Sequence, residues 1–264
     1  MKNLSRFFFS VGTAVVLIVL LTGMVSCDKH DTEPFDPDFG YEYFPLKVGQ
    51  IREFAVDSII FDPAPGGTRI DTNSWLIQEA VVDSFPGQDG LIWYRIERLQ
   101  RQSDTLPWQI GKVFAEARNE RQAFRTEDNL RFIKMTFPLK LNESWDGNTF
   151  FSKTTNVEVA GEQIKMFIDW DYRILELGSS LQVGEMSFQD VCAIQLANSE
   201  NFIEYRQGVE HYAKNIGLVY RELQILDTQC EVCCNGNLVT CSTTNWNQKA
   251  EKGFILRQRL LHWQ

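Results

Sequence analysis

Histidine is scarce in this chain, with only His30, His211 and His262. His30 lies in an acidic leader stretch and His262 two residues from the end. A histidine metal cluster or a Ser-His-Asp triad would therefore rest on His211 alone. Glycine-rich phosphate loops are absent, and Gly178-Ser179-Ser180 lacks the second glycine of a nucleophile elbow. The oxygen-rich run Asn142-Glu143-Ser144-Trp145-Asp146-Gly147-Asn148 does not follow the twelve-residue calcium-loop pattern and reads as a hairpin. Basic runs are missing too. Lys plus Arg number 26 against 35 Asp plus Glu, a net charge of -9, so nothing here tracks a phosphate backbone and nucleic acid is not an expected partner. No helical pattern of ten to fifteen residues alternates with strands, which disfavours parallel crossover units.

Long apolar runs are confined to the N-terminus. Lys2 and Arg6 precede an apolar stretch from Phe7 to Leu21, the layout of a secretory signal. The uncharged run Phe7 to Val25 is also just long enough to span a bilayer core of roughly 30 Å. Met24-Val25-Ser26-Cys27 resembles the lipobox of bacterial lipoproteins, in which the Cys is acylated and becomes the mature N-terminus. The resemblance implies a signal peptide over 1–26, lipidation at Cys27 and a stable membrane anchor, since two or more acyl chains hold a protein on a bilayer. From Asp28 to Gly40, five acidic residues face one Lys, with Pro34 and Pro37 breaking any helix. Residues 27–40 are thus expected to be the lipidated Cys and an acidic tether. The stretch is similar to the surface-export signal of Bacteroidota lipoproteins, and both the periplasmic face and the cell surface stay open.

Residues 41–264 read as a single β-rich domain. Ile164, Met166, Ile168, Trp170, Tyr172 and Ile174 fill successive alternate positions and predict one half-buried strand. The same alternation predicts strands through Phe54, Val56 and Ile60; Ile92, Tyr94 and Ile96; Phe188, Cys192, Ile194 and Leu196; Tyr212, Ile216, Leu218 and Tyr220; and Phe254, Leu256 and Leu260. Turn chemistry falls between them at Pro65-Gly66-Gly67, Pro86 to Gly90, Asp128-Asn129, Asp146-Gly147 and Asn235-Gly236, the last two predicting two-residue hairpins. The expected fold is mainly β, a large antiparallel sheet or open barrel-like meander with little helix. Val113 to Phe124 is the one candidate helix. Phe44-Pro45-Leu46-Lys47-Val48-Gly49 recurs as Phe137-Pro138-Leu139-Lys140-Leu141-Asn142, which suggests two similar halves, each led in by a turn.

Tyr43-Phe44-Pro45-Leu46-Lys47-Val48-Gly49 and Tyr212-Ala213-Lys214-Asn215-Ile216-Gly217-Leu218-Val219-Tyr220-Arg221-Glu222 together resemble the start and end motifs of a family of uncharacterised Bacteroidota outer-membrane lipoproteins. The resemblance implies an outer-membrane lipoprotein with one β-rich domain closing on an antiparallel hairpin, and it brings no activity.

With Cys27 assigned to lipid, five cysteines are left for the folded domain. Cys192 shares the apolar face of Phe188, Ile194 and Leu196 and reads as buried and unpaired. Cys230, Cys233, Cys234 and Cys241 flank the Asn235-Gly236 turn. Two disulfides stapling the loop are the favoured reading in an exported protein, with a four-thiolate zinc knot as the alternative. Cys230 with Cys241 is one possible pair, and the connectivity is not fixed by spacing.

Asp169 and Asp171, two apart in the longest alternating run, form a candidate carboxylate pair for hydrolysis, set against an ordinary solvated strand face. Three readings follow. The first is a lipid-anchored, non-enzymatic β domain at the outer membrane, without cofactor or catalytic residues, that binds a ligand or protein partner. The second is a carrier of an apolar ligand in an open barrel cavity, and the third a carboxylate-based hydrolase.

Overall fold

The computed structural model describes residues 38–264, which form one compact unit from Asp38 to Gln264. The expected signal peptide over 1–26, the expected lipidation site Cys27 and most of the expected acidic tether lie outside the described residues. After a short 3-10 turn at Tyr41–Tyr43 the chain enters β1 (Ile51–Ala64), β2 (Gly67–Pro86), β3 (Ile92–Arg101), β4 (Gln109–Arg118), β5 (Gln122–Glu127) and β6 (Leu130–Thr136). These six pair in sequence order as an antiparallel meander. A second meander is built from β10 (Trp170–Val183), β11 (Met186–Glu200), β12 (Glu204–Ala213), β13 (Gly217–Asp227) and β14 (Lys252–Trp263). Pairing of β1 with β14 fuses the two, and the two-residue β7 (Ser144–Trp145) adds to β10, giving a twelve-stranded sheet nearly closed into a barrel. Between them β8 (Val157–Val159) and β9 (Glu162–Ile164) form a separate small hairpin.

The seam shows how the sheet curls round. The Ile133 backbone N–H of β6 donates to the Gly147 carbonyl at 2.8 Å, and Trp145 Nε1 donates to the Ile133 carbonyl at 2.9 Å. This segment thus bridges β6 to β10, through the Trp145–Tyr172 pairing. Gly147 lies against the Tyr172 ring, where a Cβ would collide with it. Asp146-Gly147 is therefore not the hairpin turn that its sequence predicts. Glycine serves here for close approach, and the edge polar groups that a half-open sheet would expose find partners.

Other local expectations are corrected in the same way. Val113 to Phe124 is strand, the end of β4 and start of β5, because Phe114 and Glu116 alternate inward while Arg118 and Ala123 pair across the turn. The predicted single strand from Ile164 to Ile174 is broken at residues 165–169, with Asp169 in a left-handed conformation at φ 59°. The run Tyr212 to Tyr220 is broken too. Asn215, at φ 63°, turns β12 into β13, which makes the antiparallel hairpin implied by the end motif. Asn235-Gly236 joins two short helices instead of two strands. Of the predicted turns, Pro65-Gly66 and Asp128-Asn129 are two-residue hairpins: Ala64 pairs with Gly67 across the first, and Glu127 with Leu130 across the second, where both turn residues have positive φ.

The strands predicted through Phe54, Ile96, Ile194 and Leu256 fall in β1, β3, β11 and β14. Gly49 and Asn142, which end the two echoed motifs, both take left-handed φ values, 92° and 65°. Between β13 and β14 the chain detours through α1 (Glu231–Cys234), α2 (Leu238–Thr243) and α3 (Trp246–Lys249). The Glu251 carboxylate accepts from the backbone N–H groups of Gln229, Glu231 and Val232, and Trp246 stacks on Tyr205 with ring centroids 5.5 Å apart. These contacts seat the insert on the barrel end.

Candidate ligand-binding cavity

The pairing registers place inward side chains in rows across the sheet. Glu210 lies opposite Arg221, Arg221 opposite Gln258, Gln258 opposite Val56, and Val56 opposite Trp75. Two residues along each strand comes the row Leu223, Leu256 and Ser58, and then Ile225, Phe254 and Ile60. The interior is therefore stratified, with a charged layer across the middle and apolar rows above it.

The charged layer has two parts. In the first, Glu79 of β2 receives Arg98 of β3 and Arg125 of β5, the latter with Nη2 at 2.6 Å, while Arg52 of β1 approaches to 3.6 Å. Arg125 also binds Glu116 and, through Nε at 2.6 Å, Glu127. Burial alone would push Glu79 up, but the Arg125, Arg98 and Arg52 guanidinium groups hold it well below the usual carboxylate range. In the second part, Glu210 of β12 is shared by two cations. Lys134 Nζ of β6 lies 2.7 Å from one carboxylate oxygen and 2.8 Å from the other, and Arg221 of β13 donates Nε at 2.6 Å. The Tyr212 hydroxyl donates to the same carboxylate at 2.7 Å. Burial opposes ionisation of Glu210, and Arg221 and Lys134 overcome it, bringing its pKa to about 2. Lys134 itself is lowered, by burial first.

Above this second part lies a cavity of about 880 Å³, within the range of small-molecule sites. Its floor carries Lys134, Glu210, Arg221 and Gln258; its walls include Leu223, Leu256, Phe254, Trp75 and Phe167; residues 155–160 flank its rim. Two buried donors in the lining have no partner, Gln258 Nε2 and Trp170 Nε1. A buried amide or indole N–H left unpaired costs about 1–3 kcal/mol, so an acceptor brought within reach of either would be favoured. The cavity occupies the barrel end that carries the Asp128-Asn129 turn, the β13–β14 insert and the start of β10. Asp38 is at the other end, in an ion pair of 2.8 Å with Lys214 beside the β12–β13 turn. The β12–β13 hairpin runs ten or so residues between the two, roughly 30 Å.

The residues singled out from sequence lie elsewhere. Cys230 and Cys241 are joined, with Cα atoms 5.8 Å apart, and the adjacent Cys233 and Cys234 are joined to each other. The sulfurs of Cys233, Cys234 and Cys241 all lie within 4.8 Å, so reduction would leave three thiols close enough to share one metal ion. Cys192 is buried and free, and burial pushes its thiol up to about 12. Asp169 sits in the turn before β10 and Asp171 on the exposed face of β10, 3.3 Å from Arg173. His211 packs edge-on against Tyr220 with no partner for Nδ1, and burial lowers its pKa. The charged layer escapes a reading that assigns charged residues to the solvated face. Parity was the available signal, because Glu79 lies between Ile77 and Val81, Lys134 is two from Phe132, and Glu210 is two from Tyr212.

No family model matches the chain, and no curated protein matches it. Two solved structures are similar to it. One is a Bacteroides fragilis protein provisionally described as exported, with a YmcC-like fold: 10% identity, TM-score 0.36, covering 86% of this chain and all of its own. The other is a Parabacteroides distasonis protein provisionally described as a lipoprotein: 10% identity, TM-score 0.33, covering 87% of this chain and all of its own. Likeness this distant transfers neither activity nor ligand.

Proposed function

We propose that the chain is an exported lipoprotein, anchored at the outer membrane through Cys27, whose β-barrel carries an apolar ligand without chemically altering it. The observation that carries this reading is the 880 Å³ cavity with apolar walls; a fully packed interior would have ruled it out. Carboxylate hydrolysis is disfavoured by the same site. Such chemistry needs one carboxyl group kept protonated near neutral pH and one ionised. The half-buried Glu127 and the buried Glu210 of the lining are instead held low by arginine and lysine neighbours. Asp169 and Asp171 do not border the cavity.

The anchor is supported by the lipobox resemblance, and the acidic stretch that follows suits a solvated tether. Intact mass of the full chain, made in a host that processes lipoproteins, tests the address: cleavage before Cys27 with added acyl mass is expected, and an unprocessed N-terminus overturns it. Native mass spectrometry of the same preparation tests the cargo. Wild-type protein is expected to retain an extractable apolar adduct. Leu256→Trp, which fills the apolar wall, is expected to lose it. Equal retention by both would place the adduct outside the barrel and defeat the carrier reading.

A further inference from the structure

The carrier reading leaves the ligand's polar end unspecified, and the cavity floor supplies it. Lys134 and Arg221 share the single carboxylate of Glu210, so this group of three keeps one positive charge in excess. Arg221 reaches a second carboxylate, Glu127, only at 3.5 Å, and that one is already engaged by Arg125 at 2.6 Å. The nearest residue to Arg221 on the next strand is Gln258, a 3% exposed amide whose Nε2 has no acceptor. Trp170 Nε1 is a second buried donor without a partner. Every unpartnered buried side-chain atom of the lining is thus a donor, and the floor group of Lys134, Arg221 and Glu210 carries one positive charge in excess. From Gln258 the wall runs outward through Leu256 and Phe254 on alternate positions of β14, with Leu223 beside them. A molecule that satisfies both ends has an extended hydrocarbon body and a compact head with one negative charge and acceptor oxygens.

We propose that the cavity binds a single-chain carboxylate amphiphile, its carboxylate accepting from Gln258 and lying beside Arg221 and Lys134, its chain along Leu223, Leu256 and Phe254. A carboxylate matches the excess charge one for one. It also accepts on two oxygens in a plane, which suits an amide and a guanidinium on adjacent strands. The long-chain alcohol of equal length lacks the charge and offers a weaker acceptor, so the site is expected to discriminate against it by about tenfold or more.

This inference rests on the carrier reading, and the test separates the two. The full lipidated chain is placed in nanodiscs and titrated with palmitate labelled with 13C at the carboxyl carbon, using empty discs as the background. A protein-dependent carboxyl resonance is expected, distinct from that of bilayer palmitate and absent in Leu256→Trp. Hexadecanol should displace it only at about tenfold or greater excess. Gln258→Leu, which keeps every charge, should weaken palmitate about tenfold while leaving hexadecanol unchanged. Lys134→Met should do the same if it folds, and Gln258→Leu decides the matter if it does not. Hexadecanol competing on equal terms, or Gln258→Leu binding palmitate as the wild type does, would overturn the carboxylate while leaving an apolar carrier. Failure of both molecules to give a signal sensitive to Leu256→Trp would overturn the carrier and the carboxylate together.

Discussion

The two ends of the charged layer differ in how completely they are closed. Around Glu79, three arginines from three strands meet three carboxylates, with Arg98 and Arg125 packed on the Phe114 ring, and only Arg98, Glu127 and Ile77 of this group reach the cavity. Around Glu210, two cations meet one carboxylate, and beyond them is the cavity. Buried ion pairs add little net stability against apolar residues of equal volume, yet breaking one is costly. The closed end therefore behaves as a structural cross-link among β1, β2, β3 and β5. Both ends keep buried donors without a hydrogen-bond partner, Arg52 Nε and Nη2 at the one and Gln258 Nε2 at the other; what sets the Glu210 end apart is two cations on one carboxylate beside a cavity.

The largest effect expected from this contrast is at the closed end. Glu79→Ala leaves Arg52, Arg98 and Arg125 crowded and under-compensated, and should cost about 3–5 kcal/mol. For a domain of this size that is on the order of 10 °C in Tm. A thermal melt showing a loss of only a degree or two would mean that the cluster is solvated and the barrel open at this end as well.

Acid should act on both ends, and its sign is fixed by the carboxylates. Glu210 titrates at the ordinary 4.5 when unfolded and at about 2 in the fold. Its contribution is complete above about pH 4.5 and disappears as the pH falls toward 2; the lowered pKa of Glu79 acts in the same direction. Urea melts across this window should show stability falling with pH, by up to about 3 kcal/mol from Glu210 alone. Glu210→Gln should flatten that part of the profile. A profile of unchanged slope would place Glu210 in water.

A cut outside the barrel sets the scale. Replacing Cys230 and Cys241 by Ala frees a short loop in an insert held to the barrel by Glu251 and Trp246. Local opening is expected rather than global loss: faster amide exchange over 231–249 and a main melt shifted by less than about 3 °C. A collapse of the main transition would show that the insert closes the barrel end and belongs to the same cooperative unit.

How much of this was legible in the sequence follows from what alternation can and cannot say. Strands such as β1 and β14 were visible because Phe54 and Val56, and Leu256 and Leu260, recur with period two on one face. Their assembly was visible only as far as antiparallel order, since curling into a barrel depends on the Gly147 and Tyr172 contact, a pairing distant in sequence. Breaks at Asp169 and Asn215 were missed because Asp and Asn tolerate left-handed backbone, and the apolar parity runs on across the turn. The candidate site was legible in its walls and hidden in its floor. Arg125, Lys134, Glu210 and Arg221 look like surface charges when each is read alone, and only their shared parity with neighbouring apolar residues marks them as inward.

The smallest expected effect is the sharpest test of the contrast. Where a charged group of the layer is engaged, as Glu79 is, its deletion should destabilise, because it leaves partners behind. Gln258 is uncharged, is buried and has no partner for Nε2. Gln258→Leu removes that donor, extends the apolar wall of Leu256, and should leave the melt unchanged or raise it by about 1 kcal/mol. Set against a loss of about 3–5 kcal/mol at Glu79, a neutral or stabilising Gln258→Leu says that this amide is maintained for something other than folding. A loss comparable to that of Glu79→Ala would mean that the amide is engaged by ordered water or by Arg221 in the folded protein, and the two ends of the layer would then be one structural network with no vacancy for a ligand's head.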